Sequence, residues 1–141
     1  MSNKKRIIIL ALLGDPMVPA TSHDARAGGF NTDVKQWLAT LSKKNYSVTV
    51  ITNTSSYFQN KFQRISENIT IHRIHLEESS FKNASALMEQ YSYVYNAIKE
   101  IMEQEKIEPV FFHSYFWYSG YLAMELSDFY QIPFVHTIID L

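Results

Sequence analysis

The sequence predicts an α/β domain: a Rossmann-like parallel sheet with helices on both faces. Three observations predict it. The strand candidate at 7–10 (Ile7, Ile8, Ile9, Leu10) is a continuous apolar run, the pattern of a strand buried on both faces, and 48–52 (VTVIT) reads as a second buried strand. Stretches with a helical apolar period alternate with them in the order β-α-β-β-α-β-α-β. The 141 residues suffice for one domain, which at that size hides about 70% of the surface of its unfolded chain.

The first strand is expected over Lys5–Leu13, followed by a loop of about fourteen residues through Ala27, a length more often functional than idle. Gly28-Gly29 opens a helix in which Val34, Trp37, Leu38 and Leu41 make one apolar stripe. Lys43, Lys44 and Asn45 end it, with cations at the negative end of the helix dipole and Asn at a left-handed cap. Ser47–Thr52 is the second strand. Residues 54–67 show no clear period. Ile69–Ile74 (ITIHRI) alternates and is expected nearer a sheet edge. Asn83–Glu105 predicts one long helix, with Leu87, Tyr91, Val94, Tyr95, Ile98, Ile101 and Met102 in period. Pro109 starts a short strand ending near His113. Trp117–Tyr130 is a helix with Leu122, Leu126 and Phe129 inward, and Pro133 begins a last strand, FVHTII.

Composition narrows the function classes. The net charge of −1 gives no general attraction to nucleic acid or anionic lipid. No cysteine is present, which removes disulfide and thiolate chemistry. The apolar run Ile7–Leu13 is too short for a membrane span, and Gly14-Asp15-Pro16 breaks it without a small-x-small cleavage site. The expected location is cytoplasmic.

Candidate site residues cluster where strands end. A Gly-Gly pair at a helix start lets backbone approach a ligand and presents unpaired amides to an anion, although it serves equally as a tight turn; G-x-G-x-x-G is absent. His72 and His75, three apart on a strand, face opposite sides and cannot share one metal; no metal site is expected. His113 and His136 each fall at the carboxyl end of a strand expected to be central, as ligand contacts or as structural histidines. Tyr115, Phe116, Trp117 and Tyr118 follow a strand directly and suit either a sugar wall or a loop packed on the next helix.

Two stretches, GGFNTDVKQWLATLSKKNYSVTVIT and HSYFWYSGYLAMELSDFYQIPFVHT, with Lys82 after the third long strand, resemble family 4 retaining glycosyltransferases, especially the branch of sucrose-phosphate synthases and D-inositol-3-phosphate glycosyltransferases. The first is similar to Gly-Gly-Met-Asn, a helix and a strand; the second to His-Ser-His-Tyr-Trp-Leu-Ser-Gly, a helix and Ile-Pro-x-Val-His-Thr. Asn45 stands where the family has a helix-ending Gly. The resemblance implies that residues 1–141 are the N-terminal, acceptor-side half of a GT-B fold, truncated, with the donor-binding C-terminal domain absent. Gly28 and Gly29 would approach the donor diphosphate. Asn31, Lys82 and Thr137 would hold the acceptor, and His113 and Tyr115 would be the catalytic residues, near the transferred sugar. Three positions depart from the pattern: Tyr115 replaces the second His of His-x-His, Phe116 replaces the following Tyr, and Ile139 replaces a His.

The implied function is acceptor binding in a retaining enzyme that moves a sugar from a nucleotide-sugar to a hydroxyl of a small or carbohydrate acceptor. The alternative is a non-catalytic partner or regulatory subunit of a complete transferase. The expected partners are the nucleotide-sugar donor, a sugar or sugar-phosphate acceptor and a separate C-terminal half, with no nucleic acid and no membrane span. No cofactor is expected, since the nucleotide-sugar is a substrate. The isolated chain is expected to be inactive.

Overall fold

In a computed structural model, residues 5–14, 17, 29–54 and 58–138 are described, with residues 29–32 as helical backbone alone. Six strands form one sheet: β1 (Lys5–Leu10), β2 (Tyr46–Asn53), β3 (Phe62–Ser66), β4 (Ile69–Ile74), β5 (Phe111–Tyr115) and β6 (Phe134–Thr137). Their spatial order is β3-β4-β2-β1-β5-β6. All neighbours run parallel except β3, which pairs antiparallel with β4. The helices are α1 (Gly29–Lys43), α2 (Ala84–Glu89), α3 (Tyr91–Gln104) and α4 (Phe116–Tyr130), with a 3₁₀ turn at Glu78–Phe81. This is the expected α/β architecture. Right-handed crossovers from β1 to β2 and from β5 to β6 run in opposite directions, which puts α1 and α4 on opposite faces.

The apolar runs are buried for the reason their continuity implies. Ile7 through Leu13 are all shielded from water, as are Val48, Val50 and Ile51. The strand stops at Leu10, earlier than the run predicts. Residues 11–14 leave the ladder as a buried turn, held by Thr52, whose hydroxyl donates to Ala11 O at 2.7 Å and Gly14 O at 3.0 Å. The end of α1 follows expectation: Asn45 adopts φ 67°, the left-handed cap.

The structure corrects four further expectations. The region without period holds β3, whose residues lie mostly exposed. A strand wet on both faces leaves no apolar alternation. Buried Arg73 of β4 anchors this segment, donating to Asn60 O and Oδ1 and to Gln63 Oε1. The long helix is two, meeting at Gln90, whose amide bonds both Leu87 O and Met88 O. Its start is as read, because Asn83 Oδ1 caps the Ala86 amide at 2.8 Å. Phe129 faces outward at 56% exposure, with the Lys99 ammonium 3.9 Å over its ring. The strand carrying His136 is an edge of the described sheet rather than central.

Candidate functional site at the carboxyl ends of the strands

Strand order reverses at β1: β2 and β4 lie on one side of it, β5 and β6 on the other. In open parallel sheets a crevice opens at that point, outside the carboxyl ends. The backbone start of α1, the end of β5 and the end of β6 all converge there. Leu12, just after β1, donates its amide to Ser119 Oγ of α4 at 3.0 Å, which ties the first loop to the far helix.

Alternation along β5 divides its side chains between the two faces. His113 and Tyr115 point to the α1 side. Their rings stack at 4.7 Å, and Trp37 of α1 meets His113 edge-on at 5.2 Å. His113 Nε2 lies 2.7 Å from Thr137 Oγ1 of β6 in a hydrogen bond. Ser114 points to the α4 side, where its Oγ is 2.7 Å from His136 Nδ1. Two side-chain hydrogen bonds, one on each face, therefore fasten the edge strand to β5.

Of the residues singled out from the sequence, His113, Tyr115 and Thr137 come together on one face. His113 and Tyr115 are buried, while Thr137 is half-exposed. His136 belongs to the other face. Gly29 is the first residue of α1, whereas Gly28 and the side chain of Asn31 lie outside the described residues. Lys82 is exposed and ends the 3₁₀ turn beyond β4. Tyr118 Oη of α4 donates to Leu87 O at 3.1 Å, which ties α2, the helix after Lys82, to α4. His72 and His75 are not a pair: His75 bonds Thr54 and Glu77, and His72 packs on Phe62. The aromatic run divides as well. Tyr115, Phe116 and Tyr118 are buried, and Trp117 borders an apolar hollow of about 270 Å³ with Tyr121, Met124 and Phe134. Phe116 holds φ 67°, unusual for a bulky residue, where strand turns abruptly into helix.

Two residues were missed by sequence reasoning. Asp33, on α1, faces both His113 and Tyr115; Trp37, read only as part of a core stripe, covers His113. Burial, and then the Asp33 carboxylate, keep the Tyr115 phenol protonated by raising its pKa. Burial alone pushes the Tyr118 phenol up to about 12. For His113 burial dominates and lowers the pKa below its ordinary 6.5, with Asp33 opposing and His136 adding to the effect. His72 is also lowered, mainly by burial. Both histidines bind protons more readily in the unfolded chain. Their contribution to stability is therefore complete above pH 6.5 and is lost as pH falls from there through their folded values. Urea midpoints measured across that window should drop on acidification, and less steeply in His113→Gln. A midpoint independent of pH would contradict the burial described here.

Comparison with known proteins follows this geometry. No protein-family model matches the chain. It is 25% identical over 138 residues to D-inositol 3-phosphate glycosyltransferase of Pseudarthrobacter chlorophenolicus, covering 95% of this chain and 32% of that protein. The protein of the same name from Corynebacterium glutamicum is 23% identical over 132 residues, covering 94% and 31%. The chain thus spans about a third of the length of these relatives. Among solved structures, sucrose-phosphate synthase from Thermosynechococcus elongatus superposes with a TM-score of 0.81 at 20% identity, covering 98% of this chain and 34% of that one. Among the described residues no helix is long and apolar enough to cross a membrane. The chain is thus similar in sequence to about a third of these D-inositol 3-phosphate glycosyltransferases, and it has the fold of the corresponding third of sucrose-phosphate synthase, part of a GT-B fold.

Proposed function

We propose that this domain is the acceptor side of a family 4 retaining transferase, which moves a sugar from a nucleotide-sugar to a hydroxyl of a sugar or sugar-phosphate acceptor. The observation that carries the reading is the convergence of α1, β5 and β6 near the point where strand order reverses, with Thr137 half-exposed there and its hydroxyl held by His113. Backbone amides at the start of α1 suit the donor diphosphate, and Gly28-Gly29 removes the side chains that would obstruct it. Lys82 would supply a point charge for an acceptor phosphate, with Asn31 and Thr137 as further acceptor contacts. His113 and Tyr115 form the wall behind them. The donor nucleotide would be held mainly by a second domain, and the reading requires no cofactor.

The test titrates the 141-residue chain with D-inositol 3-phosphate and glucose 6-phosphate by calorimetry. Lys82→Ala is expected to weaken phosphate-acceptor binding about tenfold, an effect that shrinks as salt screens the exposed charge. Gly29→Val should leave that binding intact and weaken donor binding once the donor half is supplied. Equal acceptor affinity for parent and Lys82→Ala would refute the assignment of Lys82. Absence of any binding would refute the acceptor role.

A further inference from the structure

Asp33 has no role in the reading above, yet its position on the helix is informative. α1 and β5 are consecutive layers with an internal register. Trp37 stands over His113 at 5.2 Å. Asp33 lies one turn earlier on the same helix face, about 6 Å toward the helix start. A helix that returns from β1 to parallel β2 runs opposite to the strands, so its start lies over their carboxyl ends. Tyr115 is two residues beyond His113 along β5, about 6.6 Å in that same direction. The two spacings match, and the register places the carboxyl group of Asp33 over the phenol of Tyr115. The pairing also concerns the position where this sequence departs from the family's His-x-His pattern. An imidazole has been replaced by a longer side chain with a hydroxyl at its tip, and an acid on the facing helix meets that tip.

We propose that Asp33 is a positioning residue of the acceptor site: its carboxylate accepts a hydrogen bond from the Tyr115 hydroxyl, fixing the ring on which His113 stacks and thereby the Thr137 hydroxyl that His113 holds. The links are the 4.7 Å ring stack and the 2.7 Å bond to Thr137. The arrangement makes a continuous path from α1 through β5 to the edge strand β6. It rests on the reading of Thr137 as an acceptor contact. Burial keeps the phenol in its donating form, as the arrangement requires.

The experiment has two arms. In the 141-residue chain, a double-mutant cycle joins Asp33→Asn and Tyr115→Phe, read as unfolding equilibrium constants. Each single change is expected to shift the constant about tenfold, and the double change little further, because both remove one bond. Histidine proton resonances are followed alongside. The charged groups acting on His113 are Asp33 from α1 on its own face and His136 of β6 from the opposite face, so Asp33→Asn should lower the His113 midpoint, while Tyr115→Phe should leave it nearly unmoved. A purely structural role elsewhere on the helix would not produce this split. Additive single effects or an unmoved His113 midpoint overturn the proposal.

The second arm measures binding of D-inositol 3-phosphate and glucose 6-phosphate to the same variants and to Thr137→Val. Weakened binding in Asp33→Asn, Tyr115→Phe and Thr137→Val alike supports the positioning role. Weakening in Thr137→Val alone overturns it while leaving the acceptor site standing. If Thr137→Val binds like the parent, the acceptor reading fails and the positioning role falls with it.

Discussion

Tyr115→Ala is expected to lower the stability of the domain by about 3–5 kcal/mol, the range for truncating a large ring in a packed core. Tyr115 is 0% exposed, on the central strand β5 and beneath α1. Removing the ring deletes its stacking contact with His113 at 4.7 Å and leaves a cavity. The surrounding sheet collapses only partly, because the neighbouring strands are held by their ladders. Part of the loss is indirect: without the stack, His113 has room to swing away from Thr137, loosening β6 at its carboxyl end. Tyr115→Phe separates these contributions, since it keeps the ring and removes only the hydroxyl that faces Asp33. Urea unfolding with an unchanged slope is the appropriate measurement. A loss of less than about 1 kcal/mol for Tyr115→Ala would mean that the ring is not packed as described.

Gly120→Ala is expected to destabilise by about 1–3 kcal/mol, against the ordinary preference of helices for alanine over glycine, which is worth about 1 kcal/mol the other way. Gly120 lies within α4, where β6 crosses closely. A Cβ there would sit 2.9 Å from His136 Cε1 and 3.1 Å from Nδ1. The imidazole cannot move aside freely, because its Nδ1 is bonded to Ser114 Oγ at 2.7 Å. The added methyl either breaks that bond or lifts the edge strand off the helix. A shift in the His136 ring resonances should accompany the lower midpoint. A variant as stable as the parent would show that the contact yields cheaply and that the glycine serves another purpose.

Much of the fold was legible because buried parallel strands and amphipathic helices announce themselves locally. Ile7–Leu10 and Val48–Thr52 could only be strands hidden on both faces. Asn83 and Asn45 mark helix ends by side-chain chemistry that acts within a few residues, as the Ala86 cap and the positive φ of Asn45 show. The strand β3 was not legible: its residues are exposed, and what holds it is Arg73, which acts through the fold rather than through the local pattern. The break at Gln90 was hidden for a related reason, since the apolar period continues across it.

The candidate site follows the same division. His113 stood out because it ends a strand, whereas Tyr115 and Thr137 stood out through the resemblance to family 4 glycosyltransferases. Which of them share a face depended on sheet register, a property of chain pairing with no local signature. Register brought His113 against Thr137 and sent His136 to the opposite side with Ser114. Asp33 and Trp37 could not be assigned from α1 alone, since a helix shows its own apolar face but not which strand lies beneath it. Sequence by itself determined the buried strands, the α/β order around them and the chemistry available at their ends. Only the tertiary structure decided which side chains meet, because helix-on-sheet contacts join residues some eighty positions apart through packing that no local window contains.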